Sequence, residues 1–247
     1  MQHLVLACHI TGVYDVNRNM TLADDSYELV REWAESVAAA KLKGVIFHNN
    51  FSDETCATYS TDHISFERIT YNPQFNPNVY RYFVYRDYLA KIAQVQGVFV
   101  TDVSDVTLAQ NPFVHPLFTA NPDFLFCGDE PKALHNEWML AHGEHLRGQM
   151  ADYAAYEERF ASEALLNCGV FGGSFPLFFD FLQQIASAAA CFVHRLGQDG
   201  VTPGQQVAKG QVLQLPVGLV QVQPVRDGGI NFEGFGRNPA PLAAWHV

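Results

Sequence analysis

The first fifty residues constrain the fold more than any other stretch. A mostly apolar run, His3 to His9, halts at the turn-prone Thr11-Gly12, as a buried strand does. Asp24 or Asp25 is placed to cap a helix from about Ser26 to Lys41, in which Leu29, Val30, Trp33 and Val37 recur at helical spacing. Lys43-Gly44 ends that helix, and Val45 to His48 form a second short strand that runs into Asn49-Asn50. A strand, a helix and a strand in that order lead to a mainly parallel sheet covered by helices. The expected class is α/β, a Rossmann-type sheet flanked by helices.

A polar, Thr-rich stretch follows to about Ile69, and Asn72 to Asn78 carries two prolines, so both read as loop. Asn78 or a neighbour opens a helix of about Val79 to Ala93. Val98-Phe99-Val100 then make an apolar strand that ends in Thr101-Asp102-Val103-Ser104-Asp105. Asp123 to Cys127 read as another strand. Helical patterns cover Asn136 to Leu146 and Asp152 to Leu166, a short glycine-rich strand covers Asn167 to Gly173, and an apolar helix runs from about Pro176 to Leu196. The tail alternates Val and Gln from Val217 to Val225. Neither a repeat nor a linker stands out, and 247 residues fit one large domain spanning 1–247.

Charge and cysteine usage narrow the partners. With 26 acidic against 15 basic residues the formal net charge is −11, which argues against nucleic acid, since phosphate contacts need clustered Lys and Arg. One bound nucleotide remains compatible, because a metal ion can neutralise its few charges. The five scattered cysteines form no CxxC pair, a pattern that suits a reducing compartment and gives neither a disulfide framework nor a zinc site. No apolar run is long enough for a membrane span, so the expectation is a cytoplasmic protein without an integral membrane segment. The abrupt end at Val247 fits one domain of a larger multidomain protein.

The strongest local signal is VFVTDVSDV. Three apolar residues deliver two carboxylates, Asp102 and Asp105, to the end of a strand. In open parallel sheets the carboxyl ends of the strands line the ligand crevice. Two hard oxygen ligands there suit Mg²⁺ or Mn²⁺ held jointly with substrate phosphates, and such an ion stabilises a departing diphosphate. A helix cap or an Asx-turn would use the same residues.

From Asn78 to Phe113 the chain resembles the central segment of GT-A glycosyltransferases: an Arg-bearing helix, then an apolar strand ending in an Asp-x-Asp-type metal motif. The Asp-x-x-Asp spacing is similar to sugar-transferase-like families with TD-x-RD-V, LLNCGVFGG resembles their N-A-G-V-x-G-G segment, and PLAAWHV resembles their C-terminal strand. This resemblance implies a GT-A-like fold in which Asp102, Asp105 and His246 hold Mn²⁺ or Mg²⁺. Arg81 would reach a nucleotide-sugar donor, a UDP- or GDP-sugar, with its guanidinium fork. Thr11 and Gly12 would lie against the base. Asn49 and Asn50, ending the second strand on the same edge, are candidate base or ribose partners, although a plain turn explains them equally. Asn167 and Gly169 would border the sugar and the acceptor. The implied activity is transfer of a hexose or deoxyhexose from a nucleoside diphosphate to a hydroxyl of a growing glycan.

Two departures from the pattern bear on mechanism. Relatives carry an acid after the glycine-rich segment where this chain has Pro203-Gly204-Gln205-Gln206, so Asp129, Glu130, Glu137 and Asp180 are all candidates for the general base. Ser104 stands where relatives often have Arg, which puts more weight on the metal and on Arg81. Arg86 reads as a solvated residue placed to pair with Asp87. His142 and His145 lie three apart near Glu144 without the HExxH arrangement or a cysteine pair, so a zinc site is disfavoured. The alternatives are a sugar nucleotidyltransferase, whose usual Gly-rich, Lys-containing N-terminus is lacking, and a catalytically silent glycan-binding or scaffold domain.

Overall fold

The computed structural model describes residues 2–15, 20–22, 25–149, 153–198 and 222–225. The first strand, β1 (Gln2–His9), leads through Gly12, whose φ of 73° lies in the left-handed region that glycine adopts without penalty. A two-residue hairpin follows, β2 (Tyr14–Asp15) and β3 (Met20–Thr21), and then α1 (Glu28–Ala39), β4 (Lys43–His48), α2 (Asp53–Tyr59) and β5 (Ile64–Arg68). Next come α3 (Pro77–Leu89), β6 (Val95–Thr101), a 3₁₀ turn at Pro112–Val114, α4 (Pro116–Ala120) and β7 (Leu125–Ala133). The described chain continues with α5 (Glu137–Gln149), α6 (Tyr153–Phe160), β8 (Ala164–Ser174), α7 (Phe175–Gln198) and β9 (Val222–Val225).

Seven strands form one sheet in the order β5-β4-β1-β6-β8-β7-β9. Pairings β1–β4, β4–β5, β1–β6 and β7–β9 are parallel, whereas β8 runs antiparallel to both β6 and β7. The expected α/β, Rossmann-type, mainly parallel sheet flanked by helices is therefore what the chain adopts. In the β5-β4-β1-β6 half the chain winds outward from β1 in one direction and then crosses to its other side at β6. The reversal falls between β1 and β6, and the crevice at their carboxyl ends is where such sheets bind ligands.

Alternation along the strands sorts side chains to the two faces. Val5, Ala7, Ile46 and Phe99 pack with Val30, Trp33 and Val37 of α1. Leu4, Leu6, Val98 and Val100 pack with Val79, Tyr82 and Tyr85 of α3 and Phe178, Phe181 and Leu182 of α7. The same alternation sends Thr101 to the α1 face, where its hydroxyl accepts the Trp33 indole N–H at 2.6 Å. It sends Asp102 to the α3 face.

Several sequence expectations need correction. Asp25 does not cap α1, whose N-cap position is Tyr27 and carries no side-chain cap; its carboxylate instead accepts the Ser52 N–H at 3.2 Å. Asp24 lies outside the described residues. Helix α1 ends at Ala39 with Ala40 as its C-cap, short of the expected Lys41, which sits in the left-handed region (φ 57°). The Thr-rich stretch read as loop contains α2, capped by the Ser52 hydroxyl, and the edge strand β5. Asn76 rather than Asn78 caps α3, accepting the Asn78 N–H. Residues Ala164 to Leu166, read as helix, belong to β8, because Ala164 pairs with Ala133 and Leu166 with Asp129 of β7. Among the described residues no helix is long and apolar enough to cross a membrane.

Candidate functional site

Four chain segments meet at the carboxyl edge of β1 and β6. The first is the exit of β1, His9 to Gly12. The Thr11 N–H donates to Asn49 Oδ1 at 2.9 Å, and the Thr11 carbonyl accepts from Nδ2 of both Asn49 and Asn50, each at 2.9 Å. Asn50 Nδ2 also reaches the Thr11 hydroxyl at 3.2 Å. The three residues singled out from the sequence are thus brought together, with the two asparagine amides bracing the β1 exit from the end of β4. That amide work is the turn-like role weighed for them from the sequence.

The second segment is the end of β6. Asp102 is about one-third exposed, and its carboxylate forms an ion pair and hydrogen bond with Arg81 of α3, whose side chain is only 8% exposed. Arg81 is therefore a buried cation, not a residue of a solvated helix face. Helix α3 packs in the same core as β1 and β6, and the Asp102 carboxylate at the end of β6 offsets the cost of burying the Arg81 charge. Asp105 is exposed in the turn after β6, as is Ser104. Arg86 pairs on the surface with Asp87 at 2.7 Å, as expected.

The third segment is β8. The Asp102 N–H donates to the Gly169 carbonyl at 2.6 Å, and Thr101 faces Val170 in register. Gly169 is therefore next to Asp102. Asn167 stands two residues further along the same strand, with its backbone opposite Gly128 of β7. The fourth segment is the part of β7 and β8 that extends past the end of β6, which brings Asp129 to the same edge, opposite Leu166. Of the other acids considered as bases, Glu137 is exposed on α5, and Asp180 is exposed on α7 and accepts from Gln184 at 2.8 Å. His246 lies outside the described residues, as does the Pro203 to Gln206 segment.

Sequence reasoning gave no role of their own to three further groups. Cys8 follows Leu6 on the α3 face of β1, and burial pushes its thiol up to about 12 despite the nearby Arg81 guanidinium. It is thus a neutral thiol. His48, buried at the end of β4, accepts the Phe51 N–H at Nδ1 (3.1 Å), so its ring proton is on Nε2, facing Cys56 Sγ at 3.4 Å. With that tautomer the imidazole donates to the sulfur and cannot take its proton. Burial raises the Cys56 pKa as well, so this Cys/His contact is structural rather than nucleophilic. Tyr85 is the third group. Period-two counting along β1 finds Cys8, but nothing in the local pattern marks the other two.

Burial, with the Arg68 guanidinium as a second cause, lowers the His48 pKa from 6.5 to about 4. The neutral ring is what the fold accommodates. Its contribution is complete above pH 6.5, the unfolded value, and is lost as pH falls towards 4. The full swing is about 3 kcal/mol. Urea unfolding at stepped pH should show stability declining through this window. His48→Asn, whose Oδ1 can replace Nδ1 as acceptor, should flatten the decline by a similar amount; an unchanged slope would exclude His48 as its source.

The donor set can be tested against a divalent ion. Among the described residues no three His, Cys, Asp or Glu side chains gather closely enough to make a metal site on their own. Asp102 and Asp105 supply hard carboxylate oxygens and nothing softer. That set fits an ion of the Mg²⁺ or Mn²⁺ kind, which takes one or two carboxylates and completes its shell with phosphate and water.

No protein-family model matches the chain, and no curated protein matches its sequence. Among solved structures it is similar to galactosyltransferase LgtC in complex with donor and acceptor sugar analogs, at 16% identity over 79% of this chain and 65% of that one, with a TM-score of 0.45. It is also similar to an active-site mutant of LgtC, at 17% identity over 78% and 64% with a TM-score of 0.46. A third is 4-diphosphocytidyl-2C-methyl-D-erythritol synthase from Anaerococcus prevotii DSM 20548, at 6% identity over 75% and 77% with a TM-score of 0.44. The chain spans just under two thirds of the length of the LgtC structures. At these identities and scores the likeness assigns no chemistry to the chain.

Proposed function

We propose that the chain is a metal-dependent glycosyltransferase that moves a sugar from a nucleoside diphosphate donor, a UDP- or GDP-sugar, to a hydroxyl of a glycan. The observation that carries this reading is the convergence of Asp102, its Arg81 partner and the Gly169 backbone on the crevice where the sheet reverses direction. Asp102 and Asp105 would hold Mn²⁺ or Mg²⁺, with His246 as a further ligand. When bound, such an ion neutralises the charge of a leaving diphosphate.

The chain's own residues have separate tasks in this reading. Arg81 holds the Asp102 carboxylate at the crevice floor and, as the buried cation there, supplies positive charge towards the donor phosphates. Gly169 fixes the Asp102 backbone from β8. Gly12 lets the β1 exit turn close to the base without a Cβ in the way, while Asn49 and Asn50 keep Thr11 in place beside it. Asn167 and Gly169 border the sugar, so that the acceptor hydroxyl approaches the anomeric carbon from the β7–β8 side.

Thermal unfolding with UDP or GDP, each with Mn²⁺, tests the reading. A native-state ligand at a hundred times its Kd adds about 2.7 kcal/mol, or a midpoint rise of about 5–10 °C for a chain of this size. Incubation with a panel of nucleotide sugars should then release nucleoside diphosphate. No shift with any nucleotide would favour a non-catalytic scaffold, and pyrophosphate as product would favour nucleotidyl transfer.

A further inference from the structure

Tyr85 carries a hydroxyl that the chemistry above leaves without a task. The residue is fully buried in the core on the α3 face, its ring meeting Phe47 edge-on at 5.7 Å and Tyr82 at 6.5 Å. Its hydroxyl has no hydrogen-bond partner among the described residues. Burying a hydroxyl in that state costs free energy that a phenylalanine of the same shape would not, so the oxygen requires a reason.

Its position supplies one. Tyr85 follows Arg81 by four residues on α3, so the two share a helix face one turn apart. Helical side chains lean towards the N-terminus, which tilts the Tyr85 phenol back over the Arg81 turn. The ionisable groups that act on it are Cys8, Arg81, Tyr82 and Asp102, and burial holds the phenol in its neutral form. A neutral, unpartnered hydroxyl is thus carried on the same face of α3 as Arg81, one turn from the residue that pairs with Asp102.

We propose that Tyr85 is a positioning residue acting through Arg81: when a bound nucleoside diphosphate and its cation draw the Asp102 carboxylate off Arg81, the phenolic oxygen accepts a guanidinium N–H in its place. The inference rests on the site proposed above and adds a residue to it. Because the Arg81 side chain is buried, a second acceptor would keep its guanidinium satisfied in place once the carboxylate turns to the cation. Tyr85 serves the bound state and is idle in the free one.

Stability and affinity should then respond differently to one substitution. Tyr85→Phe is expected to leave the unfolding midpoint of the free chain equal to or above that of the wild type. Calorimetric titration with UDP plus Mn²⁺, and with GDP plus Mn²⁺, should show binding of the accepted nucleotide weakened about tenfold or more, the size expected for a hydrogen bond to a charged donor. The same nucleotide without metal should bind both chains equally, because only the cation competes for Asp102. A lowered midpoint would make the hydroxyl a structural group and overturn the proposal, as would equal affinity with metal or an equal loss without it. If the wild type binds neither nucleotide, the site reading falls together with this inference. If it binds and Tyr85→Phe binds as well, only this inference falls.

Discussion

Asp102→Asn should leave a folded protein whose sugar transfer is lower by a factor on the order of 10²–10³, the scale on which removal of one charge-stabilising group acts. The asparagine Oδ1 can still accept from Arg81, but the buried guanidinium loses its counter-charge. A stability loss of about 1–2 kcal/mol should accompany the change, below that of a fully buried pair because Asp102 is partly exposed. Asp105→Asn offers the cleaner comparison, since Asp105 is exposed: transfer should collapse with no change in midpoint. EDTA should reproduce both losses, and added Mn²⁺ should restore only the wild type. A double Asn variant with full activity would end the metal reading altogether.

Gly172→Ala should be strongly damaging for the addition of one methyl group. A Cβ at Gly172 would stand 2.3 Å from the Val98 carbonyl oxygen and 2.6 Å from the Phe99 ring. The first neighbour is backbone of the paired strand β6 and cannot rotate aside. Relief requires prising β8 off β6, so a loss of at least about 3 kcal/mol is expected, or a midpoint fall of about 6–12 °C. Gly148→Ala is the control: nothing lies within 4 Å of its Cβ, and alanine in place of an exposed helical glycine should stabilise slightly. Equal effects at the two positions would contradict the packing. Because β8 also delivers the Gly169 carbonyl to Asp102, chains of Gly172→Ala that still fold should bind nucleotide poorly.

The sequence and the structure agree best where burial follows a simple period. His3 to His9 and Val98 to Thr101 are runs whose every second residue meets the same helix, so both strands and the acid after the second could be read directly. Legibility fails where a tertiary partner decides the outcome. Helix α2 has no buried residue, and β5 buries Ile64 alone, so neither shows a periodic apolar signal. Ala164 to Leu166 suits a helix by composition, and only pairing with β7 makes it strand. Arg81 lies between the half-buried Tyr80 and the buried Tyr82 on a helix whose aromatic residues are spread around it, and its burial depends on an aspartate 21 residues further on. Asp25 has the residue type of a cap, yet Ser52, from the far side of β4, claims its carboxylate.

The bracing of Thr11 by Asn49 and Asn50 has a thermodynamic corollary. Both main-chain polar groups of Thr11 are already satisfied inside the protein, so, should the proposed donor's base settle there, it would meet a rim that has little left to order. Recognition at that rim would then rest more on shape than on new hydrogen bonds to Thr11. Discrimination between bases would be modest and association fast, as befits a surface that is ready before its ligand arrives.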